Sequence, residues 1–395
     1  MGPSLLFIPD ISGFTKFVST TEVHHGRHII AELLEVIIAA DRLGLTVSEL
    51  EGDAVFFYKG GPLPDFEELT AQAKRTFEAF HARLKTYEAD RICDCGACST
   101  AHGLSLKIVV HAGPIELISV QGFEKPYGAD VIVAHRLLKN DVARTEYLLV
   151  TEAALAGSRA PIVAPEWSEL CSGSDDIQDV GPVQYRWVPL GPLLDGIPDP
   201  PPARRFEKSD NPLRHEVFVQ SSPEAVFELI SNLDLRLLWN RGVDRLEYER
   251  GRMNRVGTWH RCVIGGDLIE FETVTSDFGE GRHVYGERLP GNPIVDDHVN
   301  YFIVEPEGDG SRVRFEVHYR PKPFPRSLLA PLARLRMGRF GPGILASIKE
   351  AAESGTGLPE TASSEASAQN PTGTEKVARG TGLFGSGSAS QLSAP

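Results

Sequence analysis

Hydrophobic positions fall into short apolar runs and stretches of helical period. Leu5 to Asp10 opens the chain as an apolar run that predicts a buried strand. From Glu22 to Asp41, Ile29, Leu33, Val36, Ile37 and Ala40 recur on one side of a predicted helix. Leu45 to Tyr58 predicts two strands meeting at Glu51-Gly52-Asp53, where glycine permits a tight turn. A second helix is expected from Asp65 to Glu88. Leu104 to His111 then reads as a buried strand with Ile115 to Val120 as its hairpin partner, followed by a helix from Val131 to Lys139 and a strand from Tyr147 to Thr151. Two helices against a mostly antiparallel sheet make a ferredoxin-like α+β layer.

From Pro189 to Pro212 prolines cluster and apolar residues thin out, which predicts a semi-rigid linker. A second pattern begins with a strand at His215 and a helix from Pro223 to Asn232, with Ser222 as N-cap and Pro223 at the first helical position. Strand-like segments recur at Gly257 to Ile264, Leu268 to Thr275, His283 to Arg288, His298 to Glu305 and Arg312 to Tyr319, and a helix from Ser327 to Glu353 closes the pattern. One early helix, a curved sheet and a long final helix form a cup. After Glu353 the chain turns to Ser, Gly, Ala, Thr and Pro, with too little apolar surface to offset ordering entropy, so disorder is expected. The division is therefore 1–190, a linker at 191–213, a second domain at 214–353 and a tail at 354–395.

Composition narrows the function classes. The 395 residues exceed one ordinary core, and 41% hydrophobic with 24% charged residues are globular values. A formal charge of −14 argues against a general grip on nucleic acid or anionic lipid, which needs clustered positive charge. No targeting signal stands near the N-terminus, and no apolar run approaches the roughly 20 residues of a membrane-spanning helix. A soluble, cytoplasmic protein is expected. Five cysteines, three of them within six residues, do not make a secreted disulfide framework.

Asp10 ends the first strand and Asp53 sits at the hairpin tip, with Glu51 and Glu49 two and four residues earlier. If the strands are neighbours, these carboxylates share one sheet edge and repel unless a cation neutralises them, and hard oxygen donors suit Mg²⁺ or Mn²⁺. The other reading is that Asp10 caps a turn before Ser12-Gly13 and Asp53 merely shapes its hairpin.

Phe7-Ile8-Pro9-Asp10-Ile11-Ser12-Gly13-Phe14-Thr15 resembles the first metal motif of class III adenylyl and guanylyl cyclases, and Glu49-Leu50-Glu51-Gly52-Asp53-Ala54 resembles the second. The resemblance implies that Asp10 and Asp53 hold metal ions that bind a triphosphate and activate the ribose hydroxyl. It places Glu49 at the purine-reading position, where a carboxylate suits guanine, and Lys125 at the second base-contacting position. Tyr127 to Leu137 resembles the helix that supplies the transition-state asparagine and arginine. Arg136 takes the arginine place, but Ile132 stands in the asparagine place, and no lysine for the late phosphate-binding strand is found near Gly181 to Val188. Arg136 also reads as a surface arginine on an amphipathic helix. Since the family builds its sites between two subunits, a homodimer is implied. Over residues 1–190 the chain resembles an uncharacterised bacterial family related to these cyclases, through Glu51 to Tyr58, Cys93 to Cys98 and Pro126-Tyr127-Gly128 leading to Ala134 to Asn140.

Cys93-x-Cys95-x2-Cys98 with His102 offers soft ligands for Zn²⁺, Gly96 helping the chain wrap the ion, while His81 or a partner subunit are other sources of a fourth ligand. Reduced thiols or a redox-sensitive pair are the alternatives. His24, His25 and His28 read as an exposed polar helix start, and His111 as a satisfied core or rim histidine.

Residues 214–353 resemble the helix-grip superfamily of START-like, polyketide-cyclase-like and lipid-transfer proteins, through Ser222 to Phe227, Leu238-Trp239, Gly257-Thr258-Trp259 and the closing helix. That resemblance implies a cavity for an apolar small molecule or lipid. Trp239, Trp259, Phe271, Tyr285, Tyr301 and Phe315 are its candidate lining, though ordinary core is an equal reading. The combined expectation is a signalling protein whose cyclase-like half binds a purine nucleotide while its second half senses an apolar ligand. A degenerate cyclase fold serving as a dimer platform, or chemistry in the second cavity, are the alternatives.

Overall fold

The structure, a computed structural model, describes residues 2–21, 23–202 and 206–355. The N-terminal half is built on β1 (Ser4–Ser12), α1 (Phe14–Thr20), α2 (Val23–Ala39), β2 (Thr46–Glu51), β3 (Ala54–Lys59), α3 (Phe66–Ala89), α4 (Gly96–Thr100) and β4 (Ser105–Gly113). After these come β5 (Glu116–Val120), β6 (Phe123–Tyr127), α5 (Ala129–Arg136), β7 (Tyr147–Thr151), α6 (Glu152–Leu155), β8 (Cys171–Ile177) and β9 (Gly181–Pro189). Seven strands form a sheet in the order β2-β3-β1-β4-β7-β9-β8. Its first four strands, with α2 and α3 between them, reproduce the expected ferredoxin-like arrangement. Strands β4 and β7 pair in parallel, and the other described neighbours in this sheet are antiparallel.

Strand alternation separates two cores. Leu5, Phe7 and Ile11 pack with Leu33, Ile37, Phe77 and Phe80 of α2 and α3. Leu6 and Ile8 point to the other face, where Phe56 and Ala134 meet them. A capping box starts α3: Asp65 accepts from the backbone while Glu68 reaches back to it.

One expectation fails here. Ile115 to Val120 is not the partner of the β4 strand; β5 pairs with β6 in a separate ribbon. Strand β4 already has β1 and β7 on its two edges, so no edge is free for it. The proline-rich stretch docks on the N-terminal half over its first part. Leu190, Leu193 and Ile197 are buried, and Lys85 Nζ holds the Ile197 carbonyl at 2.6 Å and Asp199 at 2.8 Å. The few apolar residues among the prolines are thus anchors.

The C-terminal half comprises β10 (Leu213–Val219), α7 (Pro223–Ser231), α8 (Arg236–Trp239), β11 (Arg245–Glu247), β12 (Trp259–Ile264), β13 (Asp267–Val274), β14 (His283–Leu289), β15 (Val295–Glu307), β16 (Gly310–Pro321), α9 (Ala330–Gly338) and α10 (Phe340–Glu353). Its seven strands run antiparallel in the order β10-β16-β15-β14-β13-β12-β11. Ser222 accepts from Ala225 N at 3.3 Å and Pro223 opens α7, as the sequence predicts. Leu229, Ile230, Leu345 and Ile348 press α7 and α10 onto Phe302, Phe315 and Val317 of the sheet. The predicted closing helix from Ser327 is broken: α9 ends at Gly338 and α10 starts at Phe340. The two sheets belong to one compact unit. The tail expected to be disordered lies, from residue 356, outside the described residues. No helix among the described residues is long and apolar enough to cross a membrane.

Candidate functional site

Asp10 pairs with Ala54 across β1 and β3, and Ile11 N donates to the Asp53 carbonyl at 3.0 Å, so the two aspartates sit at adjacent strand ends. The hairpin turn between β2 and β3 is only Gly52-Asp53, and Gly52 at φ 68° takes the left-handed conformation that a side chain resists. Burial pushes the Asp53 carboxyl up, and the neighbouring Asp10 charge adds to the rise. Lys107, opposite Asp10 on β4, brings Nζ to 3.0 Å from Asp10 Oδ2 and also donates to the Leu138 carbonyl at 2.8 Å. The aspartate pair thus has an internal cation beside it.

The turn carries Asp53 toward Asp10 and leaves Glu49 and Glu51 in a separate group. Lys125 lies 3.6 Å from Glu49, so the two residues assigned to purine contact meet. His135 Nδ1 is 3.1 Å from Glu51, and Glu49, Glu51 and His135 form a cluster with ligand atoms within 4.8 Å. Burial raises the Glu51 carboxyl, His135 offsets this and the charge of Glu49 adds to it. Arg136 is exposed and donates to the Gln178 carbonyl between β8 and β9, while Ile132 is 53% exposed one turn earlier. His111 has both ring nitrogens engaged, by Thr151 at 2.9 Å and Asp130 at 3.0 Å, as a satisfied core histidine.

The thiol cluster closes differently from the expectation. His102 is exposed on the turn after α4, and His25 of α2 joins Cys93, Cys95 and Cys98 instead. The reading of His25 as part of an exposed helix start is overturned, because α2 packs against α4 and half-buries it. Its Nδ1 lies 3.1 Å from Cys95 Sγ and 3.6 Å from Cys98 Sγ. Burial alone would lower the His25 pKa, but hydrogen bonds with Cys93, Cys95 and Glu228 push it up to about 12.

Beside this cluster the second half docks on α2 and α3. Glu32, 3% exposed, accepts from Tyr87 Oη at 2.9 Å and pairs with Arg255, whose guanidinium lies 4.5 Å over the Tyr87 ring. Burial works against the charged Glu32, yet Arg255 and the hydrogen bonds hold its carboxyl below the usual range. Val256 N donates to the Asp90 carbonyl at 3.0 Å.

In the second half, Trp239, Phe271, Tyr285, Tyr301 and Phe315 are all buried, and Trp259 is 49% exposed. Tyr301 faces the sheet side away from α10, with Phe206 and Val274, so it does not line a space between sheet and helix. Sequence reading missed a fully buried polar group beneath these rings. Arg236 reaches both Glu287 oxygens at 2.5 and 2.8 Å, and Tyr285 Oη donates to Glu287 at 2.7 Å. Against the cost of burial, Arg236 and His260 hold the Glu287 carboxyl far below its usual range. His260 stacks on Phe271 at 5.2 Å, and Trp239 Nε1 and His260 Nδ1 have no hydrogen-bond partner among the described residues. A groove of about 530 Å³, lined by Tyr248, Trp259, His260 and Glu270, opens beside the cluster.

Comparison with known proteins follows the same division. Residues 213–353 match the family described as polyketide cyclase / dehydrase and lipid transport. The sheet-rich C-terminal half thus matches that family's model. Residues 30–147 match the family described as protein of unknown function (DUF2652). An uncharacterized protein of Mycobacterium tuberculosis is 35% identical over 123 residues, 31% of this chain; the chain covers 57% of that relative's length. Among solved structures, the guanylate cyclase domain of RhGC from Catenaria anguillulae in complex with GTP is 17% identical, covering 47% of this chain and 96% of that one at a TM-score of 0.34. A protein of Thermus thermophilus is 21% identical over 37% of this chain and 99% of its own, at a TM-score of 0.30.

Proposed function

We propose that the N-terminal domain binds a purine nucleoside triphosphate together with Mg²⁺ or Mn²⁺, and that the polyketide-cyclase-type domain docked on it binds an apolar ligand. The observation that carries this reading is the convergence of Asp10 and Asp53 at adjacent strand ends, two hard-oxygen donors of which Asp53 is raised first by burial and then by the Asp10 charge. These residues fit a divalent ion, which when bound neutralises triphosphate charge and activates an attacking oxygen. Glu49 accepts from the guanine edge and Lys125 holds it in place, which favours GTP over ATP. With Ile132 where the resemblance puts a transition-state donor, binding rather than rapid turnover is the role of the site, since losing such a donor costs about 3–4 kcal/mol of the barrier lowering. In the second domain the groove offers the Trp259 and Tyr248 rings for apolar contact, with Arg261, Glu247 and Glu270 as its polar rim.

Lys107 favours a second reading. Its ammonium already answers the Asp10 charge, and a domain that needs no metal there serves as a dimer platform for the ligand-binding half. Calorimetric titration of the purified chain with GTP and ATP in Mn²⁺, with assay of cyclic product, separates the two. Binding of GTP that Asp53→Ala abolishes supports the nucleotide site, and absence of binding to either nucleotide leaves the platform.

A further inference from the structure

Cys93, Cys95, Cys98 and His25 put four ligand atoms within 4.8 Å of one another, with His25 Nδ1 at 3.1 and 3.6 Å from two of the sulfurs. Zn–S bonds of about 2.3 Å and Zn–N bonds of about 2.0 Å place the corners of a tetrahedral site roughly 3.5–3.8 Å apart, so the set needs little movement to close on an ion. The chain is already wrapped for it. Cys95 N donates to Cys93 Sγ at 3.3 Å and Cys98 N to Cys95 Sγ at 3.5 Å, and Cys95 caps α4. Such donors stabilise sulfur in the thiolate form that a metal binds. Among the described residues the five cysteines are free thiols.

A fourth feature comes from the other domain. Glu228 of α7 places Oε2 3.0 Å from His25 Nε2, on the ring nitrogen opposite the one that faces the sulfurs. A carboxylate that accepts from the outer ring nitrogen fixes a histidine's tautomer and orientation for metal binding. Cys93 and Cys98 meanwhile pack into the apolar cluster formed by Val226, Leu229, Ile230 and Trp239 of the second domain.

We propose that these residues form a structural Cys₃His zinc site that fastens the polyketide-cyclase-type domain to the N-terminal domain, with Glu228 as the carboxylate that orients His25. The three thiols release their protons to solvent as the ion binds, and the ion closes a joint made of α2, α4 and α7. His102 takes no part.

The full chain, prepared in zinc-supplemented medium without chelator, tests this. About one zinc per chain by elemental analysis is expected, and His25→Ala and Cys95→Ser lose it while His102→Ala keeps it. Glu228→Gln retains the metal but weakens it about 10–100-fold in competition with a chelator. Because a ligand variant can fail to fold, wild-type chain is also reconstituted with Co²⁺, where sulfur-to-metal charge transfer and tetrahedral d–d bands are expected. Correctly folded wild type with no bound zinc and no such bands, a disulfide found between Cys93 and Cys98, or zinc lost with His102→Ala but kept with His25→Ala would each overturn the proposal. An unchanged chelator competition in Glu228→Gln overturns the role given to the second domain.

Discussion

Lys107 Nζ stands 3.0 Å from Asp10 Oδ2 and shares the face of the sheet on which α5 packs. It is the resident counter-charge of the aspartate pair. Lys107→Met is expected to cost about 1–3 kcal/mol in urea melts without metal, the range for a charged hydrogen-bond partner left unsatisfied. The same variant gains more thermal stability from added Mn²⁺ than wild type does, because the ion then faces no competing ammonium. Equal Mn²⁺ responses in the two proteins contradict a cation site at Asp10.

Asp53 carries a testable sign. Its carboxyl is raised above 3.8 in the folded chain by burial and by Asp10, so its ionisation opposes folding, and that cost is absent below pH 3.8 and complete above the folded value. Asp53→Asn should therefore melt higher than wild type at pH 7 and no higher at pH 3, while losing its response to divalent ions. Differential scanning calorimetry at both pH values checks it.

Arg255 and Glu32 tie the two halves through a buried pair. Removing the cation alone, in Arg255→Met, leaves a buried carboxylate and is expected to cost about 3–5 kcal/mol. Glu32 sits below its ordinary 4.5, so the wild-type interface keeps this contribution at neutral pH and loses it as pH falls through the lowered folded value. Arg255→Met should show a shallower acid dependence in denaturation curves.

Arg236 and Glu287 make the opposite design test inside the second domain. Arg236→Met alone should destabilise by about 3–5 kcal/mol, whereas Arg236→Met with Glu287→Leu should recover most of it, because apolar replacements remove both desolvated charges together. Failure of the double variant to recover, measured in the same urea titration, shows that the cluster holds the fold by more than charge pairing.

The β5–β6 ribbon leaves Val120, Phe123 and Tyr127 at 60%, 80% and 64% exposure. If it is where two copies meet, replacing Phe123 and Tyr127 by Ser turns a dimer into a monomer in sedimentation experiments without lowering the melting temperature of the chain. A wild-type monomer at tens of micromolar protein removes the dimer from the function.

Much of this was legible in the residues. The period of Leu5 to Ile11 and the glycine of Glu51-Gly52-Asp53 carry local information that places the strands and the turn, whereas the roles given to Asp10 with Asp53 and to Glu49 with Lys125 came through the resemblance. The alternation of Tyr301 and Phe302 also held the correction for the cavity lining, since neighbours on a strand face opposite ways. What the sequence hides is contact made by chain return. His25 lies 70 residues before Cys95, and Arg236 lies 51 residues before Glu287, so neither pair leaves a spacing to read. His102 was the nearer histidine, and nearness along the chain is no guide once a helix crosses back over a loop.

The acid at position 32 gives the joint a consequence for any dissection of the chain. Helix α2 carries a negative group whose near counter-charge comes from the neighbouring half, while Arg83 of its own half stands off at 4.0 Å. Cutting the chain between the halves therefore strips Glu32 of its near cation, and the N-terminal half made alone inherits a poorly answered charge at the seam.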